Sequence, residues 1–407
     1  MTFQPGSSTD IAIIGGGIVG TSIAWHLARR KAGRIHLFDR GTVASGASGR
    51  TGALLRQHYT NDAELTLALS SLEVFRHWQD VIGGPAVHTP TPLVVTVDTG
   101  PGAEGNLERL KRNVLRQNAQ GLQSRVISPE ELRRLQPFTC VDDLQAAALE
   151  PDSGYVDAVT ATRGMAMAAI AAGASIYEAR AVRRIIVEHD RVIGIETSDG
   201  RVKAEVVVCA TGPWSAELLA PIGVVVPIEP LRVQVAVLQR PLAFNDDHFV
   251  YLDAAAGLFC RPSGYGRTLI GVAGGDQHDP VDPNHYNEGN DANYGDLAIA
   301  ALARRMPAMI HASYLHGHAG LYDMTPDAHP IIGPAGPNGL FLALGFSGAG
   351  FKKGPAVGQA VAESIVDGKA SLLDLTPFRL GRFDSDAWQD PWSDTEYVFR
   401  SDFGHRL

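Results

Sequence analysis

Cysteine is scarce: Cys140, Cys209 and Cys260 are the only three in 407 residues. They are too far apart for a CxxC pair, and they form no disulfide framework. Each reads as a small buried apolar residue, and a reducing, cytoplasmic setting fits. No run of 18 apolar residues occurs, which excludes a transmembrane helix. Residues 1–10 are short of apolar content and lack the basic-then-apolar order of a signal peptide. Basic residues are outnumbered, 35 Lys and Arg against 44 Asp and Glu, for a net charge of −9. An acidic chain with no basic tract is a poor partner for nucleic acid or an anionic membrane. Internal repeats and long low-complexity tracts are also missing.

What is present is globular: 45% hydrophobic residues and enough length for two to three domains. The 44 glycines point to many tight turns or close approaches of backbone to a ligand. The apolar run 10–14 ends in glycines and reads as a buried strand. Helical spacing over 18–30 and an alternating segment at 34–39 complete a β-α-β unit, the start of a parallel sheet. Helices are expected at 63–79, 106–118, from Ser128 onward, and at 160–172, 296–306 and 355–366. Strands are expected at 93–97, 182–196, 202–210, 231–238, 249–252, 257–261, 268–272 and 339–344. The middle group suggests an antiparallel sheet in a second domain.

The motif Gly15-x-Gly17-x-x-Gly20 sits where the first strand turns into the first helix. Gly15 permits the turn, Gly17 lets backbone approach a pyrophosphate, and Gly20 lets the helix close on the sheet. Free N–H groups and the helix dipole attract the anion there. Asp39 ends the second strand, where its carboxylate can accept hydrogen bonds from a ribose diol. Asp39 argues against a 2′-phosphate, a point that Arg40 beside it weakens. The motif alone does not separate FAD from NAD.

The segment Ile11 to Asp39, followed by Ala44-Ser-Gly-Ala-Ser-Gly-Arg50, resembles the D-amino-acid oxidase superfamily of FAD enzymes. So does Val206-Val-Val-Cys-Ala-Thr-Gly-Pro-Trp214. The stretches 317–333 and 345–358 resemble its sarcosine oxidase branch. The resemblance covers about half the chain. It implies an α/β (α+β) two-domain fold of the p-hydroxybenzoate-hydroxylase type: a Rossmann-like FAD-binding domain and an antiparallel-sheet substrate domain. The expected FAD-binding domain takes 1–87, 149–226 and 321–383, and the substrate domain 88–148 and 227–320. An acidic tail at 384–407 carries Trp388, Trp392, Tyr397 and Phe399. The cofactor-binding positions so implied are Gly15, Gly17, Ile18, Val19, Gly20, Asp39, Arg40, Ser45, Ser48, Gly49, Arg50, Val182, Ala210, Thr211, Gly212, Trp214, Gly345, Phe346, Ser347, Gly348, Gly350, Phe351 and Lys352. Covalent members place a cysteine where this chain has Gly320, so noncovalent FAD is expected.

The resemblance also implies oxidation of a small secondary amino acid, such as sarcosine, iminodiacetate or an opine, to an imine that water then hydrolyses. Lys352 and Arg56 match the cations that hold the substrate carboxylate, and charge-assisted bonds give the orientation that transfer to flavin N5 needs. Tyr322 matches a tyrosine lining the substrate pocket. Asp327 reads as a turn cap, and His58 and His329 as satisfied polar residues. Two departures stand out. An active-site histidine is replaced by Ala349, and the oxygen-activating lysine falls near apolar Leu269 or Ile270, with Arg261 the nearest basic residue. The partners expected are a carboxylate-bearing amine and either O2 or an electron-transfer acceptor. Assembly as a homo-oligomer or as a subunit of a complex is the further expectation. A D-amino-acid or glycine oxidase or dehydrogenase, and an electron-relay FAD subunit without catalysis, stay open as alternatives.

Overall fold

In a computed structural model of the chain, residues 8–244, 247–272 and 279–384 are described. The expected acidic tail lies, from residue 385 onward, outside them. β1 (Ile11–Ile14) is buried along its whole length, as an apolar run at the centre of a parallel sheet must be. α1 (Ile18–Arg29) follows, and β2 (Ile35–Phe38) returns parallel to β1. Among the described residues this sheet has six strands, in the order Ile331–Pro334, Leu340–Leu344, Val206–Cys209, β1, β2, Ser175–Tyr177. All neighbours are parallel except the first pair. Because β1 is central and the chain departs to both sides of it, a crevice opens at the carboxyl ends of its strands. Open α/β sheets bind their ligands at such a switch point.

Two helices shape that crevice. The helix Gly350–Asp367 crosses α1 closely enough that a Cβ on Gly358 would lie 2.6 Å from the Cβ of Ser22. The Ser22 hydroxyl donates to the carbonyl of Pro355 at 3.2 Å. α2 (Asp62–Arg76) is capped by Asn61, whose side chain accepts from the Glu64 N–H. It packs on the same helix through the stacked rings of Phe75 and Phe351, 5.8 Å apart.

Among the described residues an eight-stranded sheet forms the second body. Its order is Ser313–Met324, Glu229–Gln239, Arg267–Val272, Leu258–Pro262, Val250–Asp253, Leu93–Asp98, Leu144–Glu150, Arg125–Ile127. Its pairs are antiparallel except Val250–Asp253 with Leu93–Asp98. The helix Tyr294–Arg305 covers one face with Ala298 and Leu302 against Leu238, Cys260 and Ile270. The expected divisions at 148/149 and 320/321 fall inside the strands Leu144–Glu150 and Ser313–Met324, so strands run unbroken through both positions. The mixed α/β two-domain class is the one expected.

Several local expectations are corrected. The segment 182–196 is a hairpin, Val182–Glu188 and Arg191–Thr197, because His189 and Asp190 both take positive φ (50° and 58°). Successive left-handed residues make the two-residue turn that matches strand twist. Residues 202–210 divide between two sheets as Gly200–Lys203 and Val206–Cys209. The last helix starts at Gly350 rather than Pro355, whose ring sits inside it. The first helix after Pro101 starts at Ala103, and α2 ends at Arg76.

Candidate functional site

The crevice holds a cavity of about 940 Å³, at the upper end of small-molecule sites. Its floor begins at the β1–α1 turn. Gly15 has φ +113°, and a Cβ there would overlap the carbonyl oxygen of Ala210. A Cβ on Gly20 would overlap the carbonyl oxygen of Gly15. Both positions therefore need glycine for the helix to start this close to the sheet. α1 carries no acidic residue in its own first turn, which leaves its N-terminal partial charge open to an anion. Ser48 Oγ accepts from the Ile18 N–H at 3.0 Å. At the end of β2, Gly16 N–H donates to Asp39 Oδ2 at 2.6 Å and Gly41 N–H to Oδ1 at 2.7 Å. Those bonds fix the carboxylate while each oxygen keeps lone-pair capacity for a diol. Arg40 stacks over the Trp214 ring at 4.2 Å.

The same cavity reaches Gly320, Leu321, Tyr322 and Asp323 on the strand Ser313–Met324, and Gly348, Gly350 and Phe351 at the start of the last helix. Gly348 (φ +80°) lies under the Tyr322 ring, whose carbons would be 2.7 to 3.0 Å from a Cβ. Burial pushes the Asp323 carboxyl up to about 6, against the backbone N–H groups that point to it, Gly345 among them at 2.8 Å. A glycine cradle, an acid-free helix start and a terminal carboxylate fit the adenosine and pyrophosphate of a dinucleotide. The reach to Tyr322 and Phe351 leaves room for a ring system beyond them.

Most of the residues singled out in the sequence meet here. Gly15, Gly17, Ile18, Val19, Asp39, Arg40, Ser45, Ser48 and Arg50 line the cavity, as do Val182, Ala210, Thr211, Gly212, Trp214, Tyr322, Phe346, Gly348, Gly350 and Phe351. Gly20, Gly49, Gly345 and Ser347 stand behind the lining. Gly49 has no room for a Cβ beside the Ala44 carbonyl, and Ser347 Oγ accepts from the Thr325 N–H at 3.1 Å.

Three proposed chemical residues are set apart from the lining. Arg56 is buried, its guanidinium 4.7 Å from the centre of the Tyr59 ring. Lys352 is half-buried in the first turn of the last helix. Arg261 pairs with Leu269 across two strands, and its side chain donates to the carbonyls of Gly52 (2.7 Å) and Pro262 (2.9 Å). Burial lowers it to about 10.

The sequence reading missed Lys353, which is fully buried against Glu64 and 4.4 Å from the centre of the Tyr59 ring. It also missed the loop residues Pro283, Asn284, Tyr286 and Glu288, which line the cavity without any motif. The turn role expected of Asp327 is seen: it accepts from the His329 N–H at 3.1 Å and pairs with Arg382 at 2.7 Å. His58 is buried and held far toward its neutral form, about 3, by burial first and then by nearby Arg56. None of the three cysteines lines the cavity, and no described helix is long and apolar enough to cross a membrane.

Comparison with known proteins gives this geometry a context. A family model described as FAD dependent oxidoreductase matches residues 10–364. Mitochondrial sarcosine dehydrogenase of Mus musculus is 28% identical over 393 residues, which cover 93% of this chain and 42% of that protein. The chain thus spans about two fifths of that relative. Glycine oxidase of Geobacillus kaustophilus is 26% identical over 386 residues, covering 92% of this chain and 97% of that protein. The crystal structure of L-proline dehydrogenase from P. horikoshii superposes with a TM-score of 0.84 at 28% identity, covering 94% of this chain and 99% of that one.

Proposed function

The chain belongs to the DAO family of FAD-dependent oxidoreductases, and from that membership we propose that it oxidises a small secondary amino acid, of the sarcosine, iminodiacetate or opine kind, to an imine. The observation that carries the proposal is the single cavity running from Asp39 and Arg40 to Tyr322, Gly348 and Phe351. Its first end suits adenosine and its second leaves space for a small substrate. Sarcosine and proline, named in two of the relatives, are both secondary amines.

When bound, FAD supplies a two-electron acceptor for the carbon–hydrogen bond next to the amine nitrogen. Gly15, Gly17 and Ser48 would hold its pyrophosphate, and Asp39 its ribose. Gly320 offers no sulfur at the position where covalent relatives carry one, so a thioether to the flavin is not available there. The chain's own task is placement. Lys352 directly follows Phe351, and Arg56 lies five residues beyond Thr51; Phe351 and Thr51 both line the cavity. We assign these two cations to the substrate carboxylate, with Tyr322 against the substrate body. An aliphatic ammonium has a pKa of roughly 10, and neighbouring positive charge favours its neutral form, whose lone pair the reaction requires. The substrate loses a hydride and a proton to become an imine. Water then splits the imine into a carbonyl compound and a smaller amine. The electrons pass on to O2 or to an electron-transfer partner. Three unbridged cysteines suit a reducing cytoplasmic compartment.

A second reading is favoured by the glycine oxidase match, which spans 97% of that protein: a primary amino acid is the substrate. Turnover assays of the purified chain with O2 and with a dye acceptor separate these readings. Formation of an aldehyde and a primary amine from an N-alkyl amino acid supports the first. Ammonia release from glycine or a D-amino acid supports the second. Arg56→Ala and Lys352→Ala each raise KM at least tenfold with FAD still bound; unchanged kinetics in both would remove their assignment.

A further inference from the structure

We infer that Arg232 is a positioning residue for the cofactor, pinning both ends of an arch, residues 279–291, that closes one wall of the cavity and opens for cofactor exchange. The inference rests on FAD occupying that cavity.

Arg232 lies on the strand Glu229–Gln239, its side chain 6% exposed. Its Nε donates to the Asn287 carbonyl and its Nη2 to the Gly289 carbonyl, each at 2.8 Å. The same guanidinium pairs with Asp291 at 2.9 Å and with Asp279 at 3.3 Å. Its backbone N–H donates to the Asp279 carbonyl at 2.9 Å. One side chain thus ties the first and last residues of the arch to the sheet. The fork of a guanidinium reaches these acceptors in a fixed planar geometry, which a lysine ammonium does not offer. The second foot is reinforced where Ala319 N–H donates to the Glu288 carbonyl at 2.8 Å.

The contacts that the arch makes to the opposite wall are different in kind. Pro283, Asn284, Tyr286 and Glu288 line the cavity, and the span is joined to the opposite wall through polar contacts. Arg40 donates to Asn284 Oδ1 at 2.7 Å, and Asn284 Nδ2 donates to Glu217 at 3.1 Å. Trp214 Nε1 donates to the Pro283 carbonyl at 3.1 Å, and Arg50 pairs with Glu288 at 2.8 Å. The body-side partners Arg40, Arg50, Trp214 and Glu217 line the cavity themselves. Asn284 and Glu288 are exposed, and exposed pairs of this sort are individually weak and screened by salt. Feet tied to one 6%-exposed guanidinium, with an exposed polar latch beside them, allow the span to lift while its ends stay anchored. The other walls comprise strands of the two sheets, the starts of α1 and of the last helix, and the turns 45–51 and 210–218. The arch, latched across the cavity by exposed polar pairs, is the exchange route, and its closure sets how long FAD stays.

The test is FAD release from the reconstituted holoprotein, followed by the return of free-flavin fluorescence after dilution. Wild type, Arg232→Met and the double variant Asn284→Ala/Glu288→Gln are compared at low and high salt. Release is expected to be at least tenfold faster in Arg232→Met and severalfold faster in the double variant. Wild-type release is expected to quicken with salt, and the double variant to lose most of that dependence. If Arg232→Met fails to fold, the double variant decides, since both its positions are exposed. A double variant with the wild-type rate and salt dependence overturns the inference whatever Arg232→Met does. Wild type that retains no FAD after reconstitution removes the cofactor reading, and the inference with it.

Discussion

Lys353 and Glu64 form an ion pair in the interior between the last helix and α2, with side chains 0% and 2% exposed. The neighbouring lysine, Lys352, is the one the motif singles out. Glu64 also meets His329 Nδ1 at 3.1 Å, and Lys353 Nζ faces the Tyr59 ring that Arg56 stacks on. Removing one partner of a buried pair leaves the other charge uncompensated. Lys353→Met is therefore expected to cost about 3–5 kcal/mol. The double variant Lys353→Met/Glu64→Met should recover most of that loss. Urea denaturation checks this; equal losses in single and double variants would show that charge compensation is not what Lys353 provides.

The glycines of the β1–α1 turn should separate by role. Gly20→Ala forces a Cβ onto the Gly15 carbonyl and is expected to cost about 1–3 kcal/mol with or without FAD, as overpacking does. At Gly17 the backbone is extended (φ −74°, ψ 177°) and a Cβ would meet only Ser48 Oγ, at 3.0 Å. Gly17→Ala should change apoprotein stability by about 1 kcal/mol or less. It should weaken FAD binding at least tenfold, and Gly17→Val should abolish it. Flavin titration and denaturation of the same variants check the split.

Stability should fall on acidification below pH 6.5. Burial drives His26, His58 and His248 down to about 4, 3 and 4. The unfolded chain protonates these rings near 6.5 while the fold holds them neutral, so each costs roughly 2 kcal/mol by pH 5. Asp323 works the other way. Its folded value near 6 lies above its usual 3.8, so it loses stability as pH rises from 4 to 6 and regains about 1–2 kcal/mol on going down. The histidines, with His36, His88 and His318 also lowered by burial, outweigh Asp323 and the buried Glu150, whose carboxyl burial also raises, and a denaturation midpoint at pH 5 well below that at pH 7 is the expected result. Asp323→Asn should steepen the acid loss.

Noncovalent FAD makes a simple prediction. Denaturing the holoprotein should release all flavin to the supernatant, since residue 320 is glycine and no cysteine lines the cavity. Flavin retained on the denatured chain would refute it.

The dinucleotide half of the site was legible because it is local. Strand, glycine turn, helix and Asp39 occupy residues 11–39 without interruption, and each carries its own periodicity. The eight-stranded sheet was not, since it joins Val250–Asp253 to Leu93–Asp98 in parallel across a long stretch of chain. Such pairings leave no local mark. That Lys353, and not its neighbour Lys352, is the buried lysine has a geometric reason. One residue along a helix turns the side chain by about 100°, and a motif fixes spacing but not which way the helix faces. The arch at 279–291 has neither period nor motif, because its position is imposed by Arg232 and by the cavity it borders.

Anaerobic mixing with a panel of sarcosine, iminodiacetate, N-methyl amino acids, proline, opines, glycine and D-amino acids bears on the central claim most directly. The chemistry proposed above predicts rapid bleaching of the bound flavin by at least one secondary amino acid. Bleaching should be far slower with the matching amine that lacks a carboxylate. A flavin that stays oxidised with every member of the panel, in protein that holds FAD, would contradict it.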